Sequence, residues 1–442
     1  MTLFLRKLIL EKDSQAFWLS FIICLLACCA ILFIVAPITG LSQNFGAGND
    51  GYIQLARNIV AGNGYVFEPG GAKVFHRPPL YPAFLVPVAL FSEYLQRYII
   101  ILPQSLLVGL TGFLIFKIAR ILFNLSVARI SLFLFLINPW VYWNAKNPMT
   151  AVIQMALYLL FIYLFCRLFH TLFLKIVRPQ RIWPQAVCVG IVSAALSLIH
   201  AAMLPVSIIL LFVLFIIGSI KRYPQAIVSA VISTVILVVL IAPWTYRNYR
   251  CFGRFIPIAG GGGLAYFNGN VHWKGIEPEP QRKGETYIDA SLRVMGLSGT
   301  EKELTAWMGF KDIALEDATN KKMAENIKKH PVIFVKKVIL NAIEYYFPII
   351  TYHFQAVKII SIEQIALTAF HLVLWIAAIA GIFCSQRTGL LLLTGIFIYS
   401  IWYFPFATFI GHSLYTLGTI PFLSILAGAG LCSLRGLFNR AS

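Results

Sequence analysis

Acidic residues are what this sequence has least of. Only 17 aspartates and glutamates stand among 442 residues, and none occurs between Tyr94 and Ile276. Charged residues of both signs make up 12% of the chain, where soluble domains carry about a quarter. Hydrophobic residues reach 59%, and the mean hydropathy is +0.79. A soluble globular body is excluded, and a polytopic membrane protein is what remains. The 8 cysteines show no CxxC spacing, so neither a zinc site nor a disulfide framework is indicated. No Walker-type loop is present to support ATP-driven work. Helices this poor in acids also argue against a proton-coupled pump, which places ionisable groups near mid-membrane.

What is abundant is positive charge, a formal net +19. In a soluble protein that balance would suggest nucleic acid. In a membrane protein, basic loops orient helices and touch anionic lipid, and no nucleic-acid partner is expected here. Apolar runs of spanning length lie near 16–38, 98–116, 129–144, 149–173, 183–199, 201–218, 224–243, 361–383, 389–410 and 412–434. The first, Phe17 to Pro37, is long enough for a bilayer of ~30 Å. It lacks the small-residue cleavage pattern of a removable signal peptide and reads as a signal-anchor helix.

Basic residues then sort to one side. Arg6, Lys7, Lys12, Lys117, Arg120, Arg129, Arg167, Lys175, Arg178, Arg181, Lys221, Arg222, Arg387, Arg435 and Arg440 share a face if all ten runs cross. The positive-inside rule therefore expects both termini in the cytoplasm. Two further apolar stretches fit crossings poorly. Residues 78–91, "PPLYPAFLVPVALF", are short and interrupted by proline. Residues 332–347, "VIFVKKVILNAIEYYF", put Lys336, Lys337, Asn341 and Glu344 on one helical face and read as an interfacial helix.

The expected organisation is a transmembrane unit over 1–244 that includes an external loop at 39–97. An external subdomain over 245–360 and C-terminal transmembrane helices over 361–442 follow. In the subdomain, turn signals at "GGGG" (260–263) and "EPEP" (277–280) precede a charged, helix-favouring stretch.

Carboxylates for the membrane body must come mainly from the first external loop, as Asp50, Glu68 or Glu93. Asp50 opens a predicted short helix whose apolar face is Tyr52, Leu55, Ala56 and Ile59. Two readings of Asp50 stand side by side. It is a favoured helix N-cap, with "GNG" closing the helix, or it is a catalytic carboxylate. The following "HRPPLYP" turn sets His76 and Arg77 at the membrane surface, where an arginine meets lipid headgroups or a substrate phosphate. Further polar groups mark the outer helix ends at "NAKNPMT" (144–150), "LIHAAMLP" (198–205), "PWTYRNYR" (243–250) and "GHSLYT" (411–416). One face thus collects Asp50, Arg77, His200, Arg247 and His412.

Several of these pieces, in order, resemble the polyprenyl-phosphate-dependent GT-C glycosyltransferases, in the bacterial branch of protein O-mannosyltransferases and aminoarabinose transferases. The resemblance rests on "NDGYIQLARNIVAGNGY", "HRPPLYPAFL", "IAPWTYRNYRCFGRFIPIAGGGGLAYFNGN" and "LYTLGTIPFLSILAGAGL". It implies an all-α GT-C fold with about ten transmembrane helices in a bacterial inner membrane. The active site would face the periplasm, with Asp50 as catalytic base. His76, Arg77, Tyr81, Arg247, Asn248, His412 and Tyr415 would flank the cavity for a lipid-linked sugar donor. The implied acceptor is a hydroxyl of lipid A, of another envelope glycan or of a protein. Two positions depart from the pattern. Ala151 stands where many relatives carry a glutamate after "NPMT", and His412-Ser-Leu-Tyr415 stands where many carry Arg-Tyr. No cofactor is implied, and the sequence gathers too few oxygen ligands to predict a divalent metal. A sugar-lipid flippase without chemistry is the alternative reading.

Overall fold

The computed structural model describes residues 12–35, 51–173, 182–268, 270, 282, 290, 293–294, 313–346, 362–405 and 416–441. Among these residues the architecture is all-α, a polytopic membrane body with one isolated antiparallel bridge, Val66 to Lys73. The membrane body begins with α1 (Asp13–Ala30), which a π turn extends to Val35. Short helices α2 (Tyr52–Val60), α3 (Leu80–Ala89) and α4 (Glu93–Ile99) follow in the first external loop. The central helices are α5 (Ile101–Leu122), α6 (Leu125–Leu136), α7 (Pro139–Ala145), α8 (Ala151–Phe173), α9 (Ile182–Ile199), α10 (Met203–Ile220) and α11 (Pro224–Phe252). Beyond them lie α12 (Gly262–Asn268), α13 (Ile313–Lys329), α14 (Pro331–Tyr346), α15 (Ile362–Ser385) and α16 (Arg387–Ser400). A 3-10 turn, Thr416–Thr419, leads into α17 (Ile420–Ala441).

Among the described residues seven helical segments are long and apolar enough to cross a membrane, and an eighth arises if the bent pair α6–α7 is one span. The other two expected runs fall on α15 and α16, whose apolar parts, Ala369–Ser385 and Arg387–Ser400, are shorter. At α3, 10 residues rise only about 15 Å, too little for a crossing, as expected. Helices α15 and α17 meet backbone to backbone. A Cβ on Gly381 would stand 2.0 Å from the Leu426 carbonyl oxygen, so a small residue is needed for this close membrane packing. At the opposite end from the external loop, Arg120 pairs with Asp13 at 3.0 Å. These groups were both expected on the cytoplasmic face.

The structure corrects three sequence expectations. The run 129–144 is two helices bent by 56°, because Pro139 drives Asn138 out of the helical region, to φ −79° and ψ 112°. Asn138 then caps α7 by accepting the Trp140 N–H at 3.0 Å. The run 224–243 continues through Pro243 to Phe252, giving α11 a length of about 44 Å. Its last turns therefore outreach a ~30 Å hydrocarbon core and carry Arg247 and Asn248 beyond it.

The third correction concerns α14. Its expected interfacial polar face divides, with Lys337 and Asn341 turned inward and Lys336 left exposed. Lys337, Asn341 and Tyr345 are buried, while Val332, Val335, Ile339 and Ile343 are exposed. A helix bathed by lipid hides its polar side and shows its apolar one.

Candidate active site

The rim that carries the first-loop residues is built on α2. Its N-cap is Gly51, at φ 76°, rather than Asp50, which lies outside the described residues together with His412 and Tyr415. A Cβ on Gly51 would come within 2.4 Å of the Phe67 ring, so glycine is required both by the backbone and by the space. At the other end, the Gly62 N–H donates to Ile59 O at 3.1 Å and the Asn63 N–H to Asn58 O at 2.9 Å. Together they form the Schellman closure that "GNG" predicts. The expected face of α2 is buried at Tyr52, Leu55 and Ala56, with Ile53 and Asn58 added.

From α2, Asn58 reaches across to the hairpin below it. Its Nδ2 donates to Val66 O at 2.9 Å and Phe67 O at 2.8 Å. The Tyr65 hydroxyl then donates to Arg77 O at 3.1 Å and Pro78 O at 2.9 Å, which fixes the "HRPP" turn. Burial pushes this hydroxyl well above the usual tyrosine range, so it remains a donor at every working pH.

Arg77 lies over the Tyr52 ring, 5.5 Å from its centroid. Tyr81 packs edge-on beneath Tyr52, with centroids 5.1 Å apart, and its hydroxyl accepts from Gln104 Nε2 at 3.0 Å. Gln104 Nε2 also donates to Asn147 O at 3.1 Å, which brings the "NAKNPMT" edge to the same place. Arg77, Tyr52 and Tyr81 thus form a stack two residues along the chain from Asp50. His76 is buried between Phe67, at 5.6 Å, and Phe75, at 5.9 Å.

His200 joins this cluster from the end of α9. Enclosure by the protein, reinforced by the Arg77 charge, holds its pKa down to about 4, so it is neutral at pH 7. The ring meets Tyr403 edge-on at 5.6 Å. Tyr403 in turn takes a hydrogen bond from Gln154 Nε2. Neither Tyr403 nor Gln154 was singled out in the sequence, where a tyrosine and a glutamine inside apolar runs carry no local signal.

Arg247 and Asn248 occupy a different position. Arg247 Nη1 donates to Val74 O at 2.7 Å and Asn248 Oδ1 at 3.0 Å. Its guanidinium lies among the rings of Trp244 at 4.8 Å, Tyr65 at 5.4 Å and Phe252 at 5.4 Å. Asn248 Nδ2 donates to Ile256 O at 3.0 Å and Ile258 O at 3.2 Å. Trp244 Nε1 and Thr245 Oγ1 fasten Ile258 O and Pro257 O, at 2.7 and 2.8 Å. The "PWTYRN" motif is therefore a clamp that joins α11, the first external loop and the segment entering the glycine run.

Of the three carboxylates proposed for the first loop, Glu93 pairs with Arg57 at 2.5 Å, and Glu68 is exposed. A carboxylate that the sequence reading overlooked, Glu316 of α13, comes to the back of the His76 turn. Its Oε1 accepts from the Gly261 N–H at 2.7 Å and Asn320 Nδ2 at 2.9 Å, and the neighbouring Gly260 N–H donates to Phe75 O at 3.2 Å. Its other oxygen is buried without a hydrogen-bond partner among the described residues. The available signal was its spacing with Thr319 and Asn320 on one face of a predicted helix. Among the described residues no group of three His, Cys, Asp or Glu side chains could hold a metal ion.

No family model matches the chain, and no curated protein matches its sequence. Its path is similar to that of two solved membrane proteins. One is the archaeal oligosaccharyltransferase AglB from Archaeoglobus fulgidus, in complex with an inhibitory peptide and a dolichol-phosphate. The likeness has a TM-score of 0.49 at 13% identity over 96% of this chain. The chain spans about half of that protein, 52% of its length. The other is ArnT from Cupriavidus metallidurans bound to undecaprenyl phosphate, with a TM-score of 0.39 at 13% identity over 90% of this chain and 77% of that one.

Proposed function

We propose that this chain is an integral membrane glycosyltransferase. It moves a sugar from a polyprenyl-phosphate donor to a hydroxyl of a cell-envelope acceptor, at the outer face of a bacterial inner membrane. The observation that carries this reading is the Arg77–Tyr52–Tyr81 stack beside the neutral His200, on the chain segment that follows Asp50 in sequence. Of the candidate carboxylates Glu93 is paired and Glu68 is exposed, and Asp50 is taken as the base because the sequence resemblance implies it.

In this mechanism Asp50 takes the proton of the acceptor hydroxyl as its oxygen attacks the anomeric carbon. The bond from that carbon to the phosphate oxygen breaks, and the polyprenyl phosphate departs with the electron pair. A single displacement inverts the anomeric centre, unlike the paired-carboxylate arrangement of retaining hydrolases. Arg77, a fixed cation at a water-poor rim, stabilises charge growing on the departing phosphate. Tyr81 and His76 hold the turn that presents Arg77. His412 and Tyr415 contribute to donor binding, as the sequence resemblance implies. Arg247 and Asn248 act as positioning residues, since Arg247 Nη1 and Asn248 Nδ2 donate to backbone carbonyls of the rim, while Arg247 Nη2 is buried without a hydrogen-bond partner among the described residues.

The test compares lipid extracts and surface glycans from cells carrying the intact gene, a deletion and Asp50→Asn. Accumulation of a polyprenyl-linked sugar together with loss of one surface sugar, at normal levels of the variant protein, is the expected result. An Asp50→Asn variant indistinguishable from the intact protein would make the carboxylate structural and move a flippase to the front.

A further inference from the structure

The glycine run 260–263 is a cradle for α13. A Cβ on Gly263 would stand 2.5 Å from the Thr319 carbonyl carbon, so the two backbones meet without room for a side chain. Two further contacts tie α13 to the same part of the chain. Arg254 pairs with Asp317 at 2.5 Å, and the Tyr266 hydroxyl donates to Asn326 Oδ1 at 2.8 Å. Beside them Glu316 is buried, only 7% exposed. Its Oε1 accepts from the Gly261 N–H at 2.7 Å and is braced by Asn320 Nδ2 at 2.9 Å. Glu316 belongs to no ion pair among the described residues.

The peptide that Glu316 holds is packed against the turn that carries Arg77. A Cβ on Gly260 would come within 2.8 Å of the Phe75 ring and 3.1 Å of Glu316 Oε1. One on Gly261 would be 3.8 Å from His76 Cβ. The Gly260 N–H also donates to Phe75 O at 3.2 Å. Residues 260–261 thus lie against both the Glu316 carboxylate and residues 75–76, and Arg77 is the next residue of the chain. The Tyr65 hydroxyl already fixes the carbonyls of Arg77 and Pro78. The turn is therefore held at two places, from the first external loop and from α13. Docking of α13 is served by the contacts at Asp317, Thr319 and Asn326, whereas Glu316 bears on the peptide behind the turn.

We infer that Glu316 is a positioning residue for the transfer reaction. By accepting from Gly261 it fixes residues 260–261 against Phe75 and His76, and so sets where the Arg77 guanidinium stands. This rests on the transferase reading and extends it, since a helix of the 245–360 segment becomes part of the site's machinery. Glu316 touches no substrate and acts through Arg77. What the position needs is a hydrogen-bond acceptor, because its partner is a backbone N–H. Misplacing a catalytic group by about 1 Å costs up to roughly 100-fold in rate, so one hydrogen bond behind the turn is enough to matter.

The test is a double-mutant cycle on the purified full chain in nanodiscs, with the polyprenyl-linked sugar that accumulates in deletion cells as donor. Turnover is followed for wild type, Glu316→Met, Arg77→Gln and the double variant, each below its own unfolding temperature. Glu316→Met should lower kcat roughly 10- to 100-fold and change the donor KM less than about threefold. In the Arg77→Gln background the same change should cost less than about twofold, because the group it positions is gone. Glu316→Gln keeps the acceptor and should stay within about threefold of wild type. Asp317→Asn, which breaks only the exposed pair with Arg254 on the same helix, should change kcat less than about twofold. Equal losses in both backgrounds, or no loss from Glu316→Met, overturn the inference and leave the transferase reading standing. A loss in Glu316→Gln or Asp317→Asn as large as in Glu316→Met also overturns it, since charge or docking of α13 would then be the cause. No donor consumption by wild type overturns both. If Glu316→Met does not fold, Asn320→Ala, which removes the brace on Oε1, takes its place in the cycle. A loss seen only with Arg77 present supports the assignment, and an equal loss or none in both backgrounds overturns it.

Discussion

Arg77 and Arg247 sit on the same external rim, each after an apolar run, and both present a guanidinium to aromatic rings. Arg247 is gripped by three rings and donates to the carbonyl of Val74, which belongs to the first external loop. Arg77 lies on one ring, that of Tyr52, beside His200 and next to the chain segment that carries Asp50. The difference teaches that a cation at a membrane edge is read by what surrounds it. Aromatic enclosure with backbone acceptors makes Arg247 a pin between α11 and the loop. The stack on Tyr52 beside a neutral imidazole is the setting on which the proposed role of Arg77 in chemistry rests.

That contrast can be broken from either side. The largest effect belongs to Asp50→Asn, which should lower sugar transfer by roughly 10²- to 10⁴-fold, the range for loss of a general base. Thermal unfolding of the detergent-solubilised protein should stay within a degree or two of wild type, a small shift for a change within ±0.5 kcal/mol. Arg247→Ala should do the opposite. It removes a charged hydrogen bond and its ring contacts, a loss of about 3 kcal/mol read as a lowered unfolding temperature. Asn58→Ala, which frees the carbonyls of Val66 and Phe67, should cost about 1–2 kcal/mol by the same assay and loosen the turn that carries Arg77.

A further effect, of similar size, is a pH dependence. His200 has a pKa of about 4 in the folded protein against 6.5 in the unfolded chain, so the unfolded state binds its proton first. Its contribution to stability is complete above pH 6.5 and drains away as the pH falls toward 4. Unfolding temperatures compared at pH 7.5 and 4.5 should fall on acidification in wild type, and fall less in His200→Gln. An equal fall in both would detach His200 from the cluster.

Much of this was legible in the sequence because membrane helices announce themselves by length and apolarity. The "GNG" closure of α2 was also readable, since turn chemistry is local. The break at Asn138–Pro139 had a visible signal in the dipeptide itself. Other features are not local. Periodicity told that α14 has a polar and an apolar side, but the direction each faces depends on whether lipid or water lies outside. The same pattern inverts between the two solvents, so Lys337 and Asn341 moved from surface to interior. Arg247 and Asn248 were placed beside the donor cavity by the resemblance, with α11 expected to end near Pro243. Its continuation puts them where carbonyls of Val74, Ile256 and Ile258 engage them. Glu316 meets the His76 turn only through the tertiary fold, and nothing near it in sequence marks the partner.

The most direct test of the account measures Arg77→Gln and Arg247→Gln side by side in nanodiscs, following donor-lipid consumption and unfolding temperature in the same preparations. The account predicts that Arg77→Gln loses roughly 100-fold or more in turnover at an unchanged unfolding temperature. Arg247→Gln should unfold at a clearly lower temperature and, below it, retain turnover within about tenfold of wild type. A stable Arg77→Gln that consumes donor lipid at the wild-type rate would contradict it.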